Sequence, residues 1–322
     1  MLRIFNVNNS RLTSINPIES ANLFSAIWID LISPKDDELQ LINNSFGQVL
    51  VTSQENISEN PDISVRYFED LDGLHIKSLF FYIKKTEKLN EFGNTNVEFT
   101  IRDGRLYTLR DRELPVFSLY TMHASNKKMA NANPFEILLD LFEIKIEQIN
   151  SEIENLYLIL ERVANFIMKS TMSEKNFTWL YSLSEVEQIA GKITSCLMET
   201  QRTLNFLIGN QKLQDNELIK AKKFARDVTS LSSHNESVFQ KVNFLIQSAM
   251  GLINIEQNRI IKIFSVLSVV FLPPTLIASI YGMNFKDIIP EFSWKYGFLA
   301  VICAMIVVGF TPYIYFKRRK WL

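Results

Sequence analysis

The stretch IFSVLSVVFLPPTLIASIYGMNF, Ile263 to Phe285, carries no charged residue and decides the fold. A bilayer core takes about 20 apolar residues in helical form to cross. A second uncharged run, YGFLAVICAMIVVGFTPYIYF, follows as Tyr296 to Phe316 after a connector of ten residues, 286–295. Both runs are long enough to span, so they predict a C-terminal hairpin of two transmembrane helices. A long polar region precedes it. This arrangement points to membrane transport rather than to soluble enzyme chemistry.

Flanking charges orient the hairpin. Arg259 and Lys262 precede the first run, and Lys317, Arg318, Arg319 and Lys320 follow the second. The connector holds Lys286, Asp287, Glu291 and Lys295, which cancel. Positive residues favour the cytoplasmic side, so both termini are expected in the cytosol and the connector outside. Trp294, Tyr296, Tyr313, Tyr315 and Trp321 stand near the run ends, where amphipathic rings prefer the membrane interface. The opening MLRIFNVNNSRLTSINPIES lacks the apolar core and cleavage site of a secretory signal. The expected location is therefore a membrane crossed twice.

Bulk composition removes several classes. The formal net charge of -1 offers no overall basicity for nucleic acid. No P-loop, no nucleophile paired with a base and no metal-ligand spacing occurs, so neither an enzyme nor a catalytic cofactor is expected. Cys196 and Cys303 form no CxxC and read as small apolar residues of a reducing compartment. His75, His123 and His234 are scattered.

The region before the hairpin divides in two. Up to about residue 130 the pattern is mixed α+β, a small sheet flanked by helices. Leu2 to Val7 and Ala26 to Ile32 are strand-like. Ser33-Pro34, followed by the acids Asp36, Asp37 and Glu38, predicts a helix capped by the serine. Asp72-Gly73 and Asp103-Gly104 each sit between apolar runs and predict tight hairpins, because Asp-Gly supplies positive φ angles. From Asn133-Pro134 the pattern becomes helical: Phe135 to about Ser170, Ser173 to about Ile208, and one helix from Asp215 to at least Leu272. At 1.5 Å per residue a helix of ~60 residues spans roughly 90 Å and would act as a lever from cytosol to membrane. Pro273-Pro274 is expected to interrupt and kink it.

One face of the first span is polar. Asn258, Ser265, Leu272 and Ser279 recur every seventh residue, and Ile261, Ser268, Thr275 and Gly282 form a second set three residues on. Such a seam has two readings. Small and hydroxyl residues let helices pack closely, or several copies of the helix line a water-filled pore, with Leu272 and Ile261 as apolar rings that close by dewetting. Two helices cannot enclose a pore, so the second reading requires an oligomer. Neither run contains an acid, and the one strong dipole at the outer end is the Asn284 carboxamide. A ring of neutral amide oxygens can hold a hydrated cation through its waters without stripping them.

Tyr281-Gly282-Met283-Asn284 at the end of the first of two C-terminal spans resembles the CorA family of magnesium transporters. Further stretches do so as well: Asn254 to Phe264, Phe271 to Leu276, Ile101 to Leu106 and Tyr315 to Arg318 are similar to the enterobacterial type, and the resemblance covers essentially the whole chain. It implies a homopentameric funnel in the membrane lipid, conducting Mg²⁺ inward and also Co²⁺ and Ni²⁺. It assigns Gly282, Met283 and Asn284 to an outer selectivity ring. It places Asn258, Ile261, Leu272 and Thr275 toward the pore, with Ser265, Ser268 and Ser279 on the same seam. The outer loop departs from the family pattern, with Lys286-Asp287 and a longer path to Glu291, the retained acid that would attract cations.

Family members sense cytosolic Mg²⁺ at acids between subunits, and Asp227 resembles one such position. Its other reading is a solvated acid on a helix face. The stripe Glu136, Asp140, Glu143, Glu147, Glu154 and Glu161 likewise reads as a wet face or as a divalent-ion sensor. The expected organisation is residues 1–130 as the α/β domain, 131–257 as long helices, 258–285 as the pore helix, 286–295 as the outer loop, 296–316 as the second span and 317–322 as the basic tail. Two rival functions remain at this point: a Zn²⁺ carrier of the same superfamily, and a membrane-anchored coiled-coil scaffold that conducts nothing.

Overall fold

The computed structural model describes residues 1–8, 11–15, 25–47, 67–69, 73–84, 91–126, 133–169, 178–210, 212–283 and 296–319. The chain forms two compact units, one of Met1–Ser170 with Asn176–Phe244 and one of Thr171–Lys175 with Leu245–Leu322.

The first unit is built on a seven-stranded sheet. Its strands are β1 (Leu2–Asn8), β2 (Arg11–Ile15), β3 (Trp28–Ile32), β4 (Tyr67–Glu69), β5 (Gly73–Lys84), β6 (Glu91–Arg102) and β7 (Arg105–Arg110). The spatial order is β2-β1-β3-β7-β6-β5-β4. Among the described strands only β3 and β7 pair in parallel, with Trp28 opposite Leu106 and Asp30 opposite Thr108. The helices of this unit are α1 (Asp36–Phe46), α2 (Pro115–Asn126), α3 (Pro134–Lys169) and α4 (Thr178–Gly209).

β3 explains how the sheet is covered. All five of its residues are buried, which requires packing on both faces. Alternation sends Ile29 and Leu31 to one side, where they cluster with Ile4, Ile42 of α1 and Tyr107. Trp28 goes to the other side, stacked on Phe5 at 4.6 Å and edge-on to Tyr120 of α2 at 5.5 Å. Asp30 shares that side and meets Arg110. The Arg110 guanidinium donates to both carboxylate oxygens, at 3.2 and 2.6 Å, and the Thr108 hydroxyl donates to Asp30 Oδ1 at 2.7 Å. The guanidinium also lies 4.1 Å from the centre of the Phe117 ring.

The second predicted hairpin is present as read. Asp103 (φ 49°) and Gly104 (φ 72°) both occupy the left-handed region that a two-residue turn between β6 and β7 demands. β4 and β5 also pair antiparallel, although Asp72 lies outside the described residues. One expectation about this unit needs correction. Ser33 does not cap α1. Its N–H donates to Arg110 O at the end of the sheet, its φ is 40°, and the cap falls on Lys35, whose N–H donates to Glu38 Oε2 at 3.0 Å. β6 starts at Glu91 and pairs with β5 along that strand's full length, with Gly73 opposite Arg102 and Lys84 opposite Glu91. The strand β2 had no counterpart in the sequence reading.

The last two helices are α5 (Asp215–Tyr281) and α6 (Gly297–Arg318). Both contain segments long and apolar enough to cross a membrane. Against expectation, α5 is not interrupted at Pro273-Pro274 but stays helical to Tyr281.

Candidate functional site

Within the second unit, α5 has two distinct faces. Val266, Val270, Pro273, Pro274, Ile277 and Tyr281 are partly covered. Their spacing of four, three, one, three and four residues is that of one helical stripe. Partial cover on α6 falls on Val301, Ile302, Met305, Pro312 and Phe316, with Gly309 fully buried among them. Gly309 is the closest fit: a Cβ there would lie 3.1 Å from Pro274 Cγ and 3.3 Å from the Val270 carbonyl oxygen. That carbonyl is the one whose helical donor would have been residue 274, which as proline has no N–H. A neighbouring helix seated this closely is how membrane helices tolerate internal proline.

The polar seam points elsewhere. Asn258, Ile261, Ser265, Ser268, Leu272, Thr275, Ser279, Gly282 and Met283 are all exposed in the single chain. At 3.6 residues per turn they centre about 180° round the helix from the Val270–Pro274 stripe. Val266, Val270 and Ile277 lie on the partly covered stripe, while Phe264 and Val269 are exposed.

Two hydroxyls of the seam are turned onto their own backbone. Ser268 donates to Phe264 O at 2.9 Å and Thr275 to Phe271 O at 2.7 Å. This keeps their polarity satisfied beside apolar neighbours. At the end of α5, Gly282 N–H donates to Ala278 O at 2.9 Å and Met283 N–H to Ile280 O at 3.3 Å. A Cβ on Gly282 would stand 3.1 Å from Ala278 O, so the final turn closes most easily around glycine. Asn284 and Glu291 lie outside the described residues.

The acids of the first unit fall into different environments. Asp227 is half-buried on α5. Asp140 lies 3.4 Å from Lys220 Nζ, and burial raises its carboxyl above the usual aspartate range despite that partner. Glu147, Glu154 and Glu161 are exposed. Among the described residues, no group of three or more His, Cys, Asp or Glu side chains comes together to hold a metal. Cys196 is buried, with its thiol 3.1 Å from Leu79 O, and Cys303 is exposed on α6.

An α/β unit, long helices and a C-terminal pair of membrane-length apolar helices define a class of membrane protein with a large extramembrane part. Residues 25–318 match the model of the family described as CorA-like Mg²⁺ transporter protein, and the chain belongs to that family. It is 52% identical to the magnesium transport protein CorA of Escherichia coli K12 over 322 residues, covering 100% of both chains. It is 51% identical over the same length to the magnesium transport protein CorA of Salmonella typhimurium LT2, again covering 100% of both. Its fold matches the complete structure of the CorA magnesium transporter from Methanocaldococcus jannaschii with a TM-score of 0.83, at 18% identity, over 100% of this chain and 99% of that one.

Proposed function

We propose that this chain carries Mg²⁺ into the cytosol through a pore built by several copies of α5. The observation that supports this most directly is the division of α5 into opposite faces. α6 occupies one, and the seam from Asn258 to Ser279 is left for an axis shared with other copies. Full-length identity of about half to proteins named for magnesium transport supports Mg²⁺ as the cargo over Zn²⁺.

In this reading five copies form a funnel in an inner membrane, with both termini cytosolic. Asn258, Ile261, Ser265, Ser268, Leu272, Thr275 and Ser279 line the axis. Gly282, Met283 and Asn284 form the outer selectivity ring, and Glu291 attracts cations to it. Mg²⁺ gives up its water shell reluctantly, so uncharged amides that bond to that shell suit it better than a carboxylate that strips it. Co²⁺ and Ni²⁺ pass as secondary ions. The membrane potential drives entry, at about 2.3 kcal/mol per charge per 100 mV. Cytosolic Mg²⁺ bound near Asp227 holds the closed state, and its loss frees the long helices to open the path. The chain catalyses no covalent chemistry.

The test is Mg²⁺ uptake into vesicles holding the purified protein. Asn284→Ala should abolish uptake while leaving assembly intact, and cobalt hexammine should block the parent as a mimic of the hydrated ion. Uptake at the parent's rate in the Asn284→Ala protein overturns the filter assignment. Faster Zn²⁺ than Mg²⁺ flux selects the zinc carrier, and no flux of any cation selects the scaffold.

A further inference from the structure

One face of α6 is apolar along its length and basic at its end. Val307, Phe310 and Ile314 are exposed on it, at 63%, 60% and 49%. Lys317 and Arg318 follow on the last turn and are exposed as well. Steps of three, four, three and one residues keep these side chains on one side of the helix. Gly309, which is buried, and Pro312 and Phe316, which are partly covered, fall on the other side. The exposed face is therefore distinct from the one on which Gly309 meets Pro274.

The charge at the end of this face is uncompensated. Among the described residues no carboxylate lies within ion-pair distance of Lys317 or Arg318, whereas Arg259 on α5 has Glu256 Oε2 at 3.8 Å. Lys317 Nζ lies instead 5.9 Å from the centre of the exposed Tyr313 ring. Bases in a last turn offset the negative end of the helix dipole, but that leaves their outward charge open to an anion.

Order and length narrow the ligand. The rise from Val307 to Arg318 is ~16 Å at 1.5 Å per residue, close to one leaflet of a hydrocarbon core about 30 Å thick. A molecule lying along this face meets apolar carbon first and two positive charges at the end. Acyl chains joined to an anionic phosphodiester have that order. A soluble phosphate matches the last turn alone, and the core of a face between protein copies is depleted in charge.

We infer that this face of α6 binds an anionic phospholipid, with its chains against Val307, Phe310 and Ile314 and its phosphate at Lys317 and Arg318. The inference rests on the membrane reading of the hairpin, not on which ion passes. A lipid held here fixes the depth of the end of α6, so membrane charge becomes an input to the stability of the hairpin.

A fluorophore on Ile314→Cys, in a Cys303→Ser background, tests it in the full-length protein in phosphatidylcholine nanodiscs. Lipid with brominated chains is added as a minor component, either phosphatidylglycerol or phosphatidylcholine. At equal fraction the first should quench about fivefold more strongly, the factor that one base near an anionic surface supplies. Lys317→Gln combined with Arg318→Gln, both at exposed sites, should bring the ratio to one, and Lys317→Arg should keep it. A label on Phe298→Cys, exposed at the opposite end of α6, should show a ratio near one. Without labels, phosphatidylglycerol should raise the melting temperature of the parent and not that of the double variant.

Equal quenching by the two lipids at position 314 overturns the site. So does a preference of the same size at position 298, which would belong to the whole membrane surface. Loss of the preference on adding inorganic phosphate at constant ionic strength assigns the bases to a soluble anion and overturns the lipid. A label on Ala304→Cys, exposed on a different side of α6, reports separately on the membrane. If it is quenched while position 314 is quenched by neither lipid, another copy covers the face and the inference falls. If position 304 also stays bright, α6 is not in the bilayer, and it is the membrane reading that fails.

Discussion

Gly309 of α6 sits against Pro274 of α5 with room for a hydrogen and little more, since a Cβ there would come within 3.1 Å of the proline ring. The contact has two consequences. It sets how near α6 comes to α5, and it covers the stretch where two successive prolines remove backbone donors. A methyl group at 309 must push the ring or the Val270 carbonyl aside by a few tenths of an ångström. Gly309→Ala should therefore lower the melting temperature modestly, with overpacking of about 1–3 kcal/mol, and keep most of the ion uptake. Gly309→Leu cannot be accommodated and should abolish stable assembly. Thermal unfolding in detergent with size-exclusion chromatography reads both. An unchanged melting temperature for Gly309→Leu would mean that the two helices do not meet here.

The opposite faces of α5 give a paired test of the pore. Leu272 is on the seam and Ile277 is on the side covered by α6. Asparagine at 272 would wet an apolar constriction, so Leu272→Asn should leak, with Mg²⁺ entering several-fold faster when internal Mg²⁺ is high. Asparagine at 277 would bury an amide against α6 and should lower stability without any leak. Uptake in vesicles preloaded with Mg²⁺ separates the two outcomes. A leak from Ile277→Asn and none from Leu272→Asn would reverse the assignment of faces.

What could be read from the chain beforehand was whatever depends on neighbours in sequence. The Asp103-Gly104 turn is set by its own φ angles, and the seam of α5 by its own period. What could not be read depends on residues far away. Ser33 has the right side chain for a cap, but its backbone is held by Arg110 O, so the cap moves two residues on. Among the described residues β2 lies at the edge of the sheet and pairs with β1 alone, and such a strand needs little apolar pattern. Pro273-Pro274 looks like a break until Gly309, 35 residues beyond Pro274, is seen against the second proline. The seam could be found from spacing, but the position of α6 on the far side of the helix could not.

The Asp30–Arg110 pair is where the sheet unit is most vulnerable. Both side chains are almost fully buried, at 1% and 0% exposure. Removing one partner leaves the other charged in a nonpolar setting, which typically costs about 3–5 kcal/mol. Arg110→Met and Asp30→Leu should each destabilise the unit by that amount. The double variant should recover a large part of it, because no unpaired charge then remains. Chemical denaturation followed by circular dichroism measures the cycle, and equal losses for the single and double variants would show that packing rather than charge pairing is at stake.

Lys145 makes the opposite prediction. Its ammonium is buried at 1% exposure, with Ser78 Oγ at 3.1 Å and the Phe80 and Phe142 rings at 4.3 and 4.9 Å. Burial lowers its pKa below the ordinary lysine range, more than the nearby Cys196 and Glu199 raise it. A lysine with a depressed folded pKa binds its proton less readily folded than unfolded. Stability therefore rises with pH from the folded pKa up to the unfolded value of about 10.5 and is lower below that window. Lys145→Met keeps the volume and the aromatic contacts and removes the charge. It should be as stable as the parent or more so at pH 7. The parent's relative gain on moving from pH 7 to pH 10 should be absent from the variant, measured as the difference between the two melting curves at each pH. If Lys145→Met is less stable at pH 7 and the difference does not change with pH, the ammonium is held by its ring and hydroxyl contacts strongly enough to offset its burial.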